Sequence, residues 1–76
     1  MEPNDVKLIQ ANLDKNQELA SLWAEHLELE KKLEDMNQRL YLSTGEQIER
    51  KQLQKLKLAG RDRIEQILTA LRTQSA

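Results

Sequence analysis

From residue 19 onward the apolar residues recur at helical spacing. Leu19, Leu22, His26, Leu29, Leu33, Met36 and Leu40 alternate steps of three and four, a heptad seam about three heptads long. Trp23 and Leu27 widen this face beyond a strict seam, so the helix expects more than one neighbour. After Gly45 a second stripe forms from Leu53, Leu56, Gly60, Ile64, Ile67, Leu68 and Leu71, with Lys57 inside it and Ile48 and Leu58 outside. Isolated exposed apolar residues are ordinary, which is the default for the last two. Residues 5–13 hold Val6, Leu8, Ile9 and Leu13, enough for a short helix with Asn4 or Asp5 as its cap.

Few residues interrupt this pattern. Pro3 stands at the start, Asp14-Lys15-Asn16 forms a soft spot, and Ser43-Thr44-Gly45 marks a break. Ser43 and Glu46 have the spacing of a capping box, with Thr44 and Gln47 as a competing pair one residue later. The expected organisation is one all-α domain over residues 1–76: a short helix over 4–13, helix one over 17–42, a turn at 43–45 and helix two over 46–72. Thr73 to Ala76 are expected to fray. The two long helices are expected to form an antiparallel, coiled-coil-like hairpin. Each spans about 39 Å, and a lone hairpin of that length leaves each stripe with one partner. Self-association, most economically a homodimer forming a four-helix bundle, would enclose both stripes.

Composition narrows the picture. The 76 residues include no Cys, two Gly, one Pro, one Trp, one Tyr and one His. That excludes a disulfide framework and thiolate metal sites, and the scarcity of β-branched and aromatic residues argues against a sheet. No apolar run approaches the ~20 residues of a membrane span, and the Met1–Asp5 stretch lacks the features of a signal peptide. A soluble, intracellular protein is the expectation.

The net charge of −1 conceals an asymmetry. Residues 17–42 carry six acidic against three basic side chains, and residues 46–72 carry seven basic against four acidic. Unlike arms attract as an antiparallel pair, and because exposed pairs contribute only ~0–1 kcal/mol each, the pattern bears on partner choice more than on stability. A turn near residues 43 and 44 puts Lys57 opposite Glu30 and Leu53 opposite Leu33. It also brings Gly60 near Trp23 and His26. Gly60 then either makes room for the Trp23 indole or is a tolerated seam glycine.

Chemistry-bearing groups are sparse. Ser21, Ser43 and Ser75 have no catalytic context, and the chain is read as no enzyme, with no cofactor or small-molecule substrate. His26 with Glu30 and Glu25 offers a weak metal set; as a polar residue in an apolar seam it more naturally fixes register. The interaction surface is assigned to Leu22, Trp23, His26, Leu29, Leu33, Leu53, Gly60, Ile64 and Ile67. Tyr41 and Leu42 either form a contact point at the hairpin tip or close the end of the bundle. A nucleic-acid alternative uses Arg50, Lys57, Arg61 and Arg63 of the basic arm, as in an RNA-binding hairpin dimer. It is disfavoured because aromatic residues for stacking bases are lacking.

Over most of its length the chain resembles the YdcH-like family of small bacterial proteins. The likeness is carried by Leu8-Ile9, Asn16, Leu22, Trp23, His26 and Leu29, and by Leu53, Lys55, Lys57, Leu58, Asp62 and Ile64 within a run similar to the family's LKKxKLxLKDxI. Trp23 stands where Phe is usual, Gly60 where Leu is usual, and Arg61 replaces a Lys. The resemblance implies a cytoplasmic bacterial protein with a helical hairpin, and no activity, cofactor or catalytic residue. A non-enzymatic interaction or adaptor module that pairs with itself, or with another protein, is the resulting expectation.

Overall fold

The computed structural model describes residues 2–75 and contains three α-helices: α1 (Pro3–Asn12), α2 (Gln17–Asn37) and α3 (Thr44–Ser75). Met1 and Ala76, the ends of the expected domain, lie outside the described residues. α2 and α3 pack antiparallel as the expected hairpin, and α1 folds back against both. The 32 residues of α3 span about 48 Å at the helical rise, and the molecule is 48 × 19 × 17 Å. Its radius of gyration of 14.7 Å exceeds the roughly 11 Å of a compact domain of this length.

Local chemistry explains most of the boundaries. Pro3 occupies the first turn of α1, where a missing N–H costs nothing. Neither Asn4 nor Asp5 caps that helix: Glu2 holds the cap position without a side-chain bond, and Asp5 pairs with Arg72 instead. At the Asp14–Asn16 soft spot the chain bends, and the Asn16 side chain accepts from the Leu19 N–H at 3.1 Å to start α2. The capping box of α3 is formed by Ser43 and Glu46. Ser43 Oγ accepts from the Glu46 N–H, and the Glu46 carboxylate accepts from the Ser43 N–H, both at 3.2 Å. Gln47 does not complete a second box; its side chain donates to the Leu42 carbonyl.

The connection differs from the expected three-residue turn at 43–45. α2 stops at Asn37, not at 42, and residues 38–43 make the reversal. No glycine or other residue among those described has a positive φ. No left-handed residue of the glycine C-cap type ends α2, the reversal is spread over residues 38–43, and Gly45 lies inside α3. At its other end α3 runs through Ser75, past the expected end at 72, and Thr73 is held by its hydroxyl donating to the Thr69 carbonyl.

Because α3 is longer than α2, its C-terminal part overhangs the start of α2, and α1 covers the overhang. Ile9, Leu19, Ile64, Ile67 and Leu68 form the core there, flanked by Leu8, Leu13, Leu22, Trp23 and Leu71. Toward the connection, the buried side chains reduce to His26, Leu33 and Met36. The seam therefore splits: Leu19, His26 and Leu33, spaced by seven, are buried, whereas Leu22 and Leu29 are only half-buried. Leu40, the last expected seam residue, is fully exposed in the connection. In the second stripe Leu56 is 58% exposed, so it is not a core residue; Ile48 and Leu58 are exposed as expected.

Candidate interaction surface

The register fixed by the buried seam brings unlike arms together. Lys57 Nζ lies 3.7 Å from Glu30 Oε1, the pairing expected from the charge pattern, and Arg63 grips both carboxylate oxygens of Glu18 at 3.0 and 2.8 Å. The Arg63 guanidinium, by hydrogen bonding, holds the Glu18 carboxyl below the usual carboxylate range, and Glu18 in turn raises Arg63. At the connection, Glu46 is held low by the Ser43 backbone N–H, then by the Ser43 hydroxyl and Arg39.

His26 is buried on α2, with Nε2 3.0 Å from Glu30 Oε1. Its ring stacks on Trp23 at a centroid distance of 5.4 Å and an interplanar angle of 14°. Nδ1 is buried without a hydrogen-bond partner. Glu30 thus links His26 to Lys57 across the hairpin, which suits a residue that sets register. No group of three side chains able to hold a metal ion forms among the described residues.

Of the two readings of Gly60, the one that gives its space to the Trp23 indole does not hold. A Cβ built on it meets nothing within 4 Å. The space is not taken by Trp23, which lies against His26 and the α1 core. On α2, residues 22, 25, 29 and 32 share one flank, while 23, 27 and 30 lie on the other. Gly60 belongs to the first flank. With Leu22, Leu29, Leu56 and Ala59 it lines an open groove of about 440 Å³ between α2 and α3, edged by Glu25, Glu28, Lys32 and Arg63.

Of the nine expected interaction residues, Leu22, Leu29 and Gly60 therefore line this groove. His26, Leu33, Ile64 and Ile67 are buried within the chain, and Trp23 and Leu53 are half-buried. Leu56 and Ala59 complete the groove, and the stripe itself contained the signal for Leu56. Among the expected nucleic-acid residues, Lys57, Arg61 and Arg63 have carboxylate partners in Glu30, Glu65 and Glu18. Arg50 alone has none among the described residues, and its Nε is buried without an acceptor. No helix among the described residues is long and apolar enough to cross a membrane. Tyr41, 83% exposed, does not close the end of the hairpin. Comparison with known protein families, with curated proteins and with solved structures finds no match.

Proposed function

We propose that this chain is a non-enzymatic interaction module that pairs with a second copy of itself, two hairpins making a four-helix bundle, and that it is related to the YdcH-like proteins. The observation that carries this reading is the groove of Leu22, Leu29, Leu56, Ala59 and Gly60. It runs along a rod-shaped molecule, and Leu56 in it stays 58% exposed. Small side chains at Ala59 and Gly60 admit a close neighbour, while the leucines supply apolar area. The groove edge carries Glu25 free of any cation partner among the described residues, while Glu28 is held by Lys32 at 3.5 Å, so the apolar area rather than charge drives the pairing. The RNA-binding alternative draws less support, because three of its four cations are already paired within the chain.

Sedimentation from low micromolar to millimolar concentration tests the reading. Wild type is expected to move from its 8.9 kDa monomer to a dimer, and Leu56→Glu to remain monomeric with unchanged helicity. A wild-type chain that stays monomeric throughout refutes self-association.

A further inference from the structure

We propose that the tip of the hairpin is a second interaction surface, which binds an acidic, leucine-containing segment of a partner protein. At the tip, residues 38–43 leave a hollow of about 450 Å³ between the end of α2 and the start of α3. Its walls combine Met36, Leu40 and Leu42 with Arg39, Arg50 and Lys51, and no acidic side chain lines it. Leu40 is fully exposed and Tyr41 beside it is 83% exposed, so the apolar rim faces solvent.

What sets this place apart is the combination of unpaired cations with an apolar rim and no acidic side chain in the lining. Beyond Lys55, which is also unpaired among the described residues, the cations of α3 are neutralised within the chain: Lys57 by Glu30, Arg61 by Glu65, Arg63 by Glu18 and Arg72 by Asp5. In the hollow Arg39 is already bound to Glu46. Arg50 and Lys51 have no carboxylate partner among the described residues, and the Arg50 Nε is a buried donor with no acceptor. Two unspent cations beside the exposed Leu40 and the half-buried Leu42 fit a ligand that alternates carboxylates with apolar side chains.

A polyanion fits less well. Nucleic acid needs a track of cations, and here the track stops where Lys57 meets Glu30. A helical acidic arm of a second copy is the remaining competitor, and the test separates it.

The test is fluorescence anisotropy at low salt on the whole chain. The probe is a labelled peptide of three Asp-Leu repeats, with a three Asp-Ser peptide and a short uridine RNA alongside. Wild type is expected to bind the leucine peptide saturably and more tightly than the other two. Arg50→Gln with Lys51→Gln is expected to weaken it about tenfold, the size of two modest charge interactions removed together. The exposed single change Lys51→Gln should weaken it by a smaller factor, so the outcome does not depend on how the half-buried Arg50 tolerates substitution. Lys55→Gln, outside the hollow, should match wild type, as should Leu56→Glu, which separates this surface from the groove. Absence of saturable peptide binding overturns the proposal. So does unchanged binding in the double variant, tighter binding of the RNA, or equal binding of the serine peptide. Loss of wild-type self-association in the double variant also overturns it, in favour of a second copy at the tip.

Discussion

Replacing Gly60 by alanine isolates one feature of this hairpin. Glycine in a helix interior costs about 0.8–1 kcal/mol relative to alanine, because it surrenders more backbone freedom on folding. The added methyl meets no atom within 4 Å, so no clash offsets that gain, and Gly60 has no positive φ to be strained. A stabilisation of roughly 0.5–1 kcal/mol follows, which for a domain of this size raises Tm by about 2–8 °C. Thermal unfolding followed by far-ultraviolet circular dichroism at low micromolar concentration measures it where the monomer dominates. A lowered Tm in dilute solution refutes the reasoning, since it means that a side chain such as Trp23 occupies the space. Repeating the melt at high concentration separates an effect of the methyl on pairing from its effect on the helix.

Other outcomes follow from the same geometry. Ile64, with no exposed surface in the three-helix core, should lose about 2–5 kcal/mol on truncation to alanine, measured by urea unfolding. Glu18 and Glu46 have lowered carboxyl pKa values when folded. Their stabilisation is therefore present above the unfolded carboxylate range and is lost as pH falls through the lowered values. Acid titration of Tm should show a shallower decline in Glu18→Gln and Glu46→Gln than in wild type; an identical decline refutes the assignment. Ser43→Ala, which removes the hydroxyl that starts α3, should cost about 1 kcal/mol in the same unfolding assay.

The sequence pattern foretold some elements better than others, for physical reasons. Seven-residue spacing picked out Leu19, His26 and Leu33 because a buried seam must repeat with the helix. The pairing of Lys57 with Glu30 then followed from register. The Ser43–Glu46 box was readable because its partners are local. The end of α2 was not, since residues 37–43 contain neither glycine nor proline and every one of them tolerates a helix. Leu56 and Gly60 were assigned inward because a helical wheel shows only direction, and what fills that direction depends on a neighbour. The tip hollow was hidden for a similar reason: whether Arg50 and Lys51 find carboxylates is decided by tertiary distance, not by spacing along the chain. The seat of α1 was equally silent, because Val6, Leu8, Ile9 and Leu13 carry no mark of their destination.

That seat carries a consequence for the order of assembly. Ile9 shares a core cluster with Ile64 and Leu68, and Asp5 pairs with Arg72, so α1 and the far half of α3, with all of α2 between them in sequence, complete one cluster. A nascent chain leaving the ribosome makes α1 long before the surface that receives it exists. Docking of the first helix therefore waits until the far half of α3 has emerged, and until then the apolar side chains of α1 have no seat.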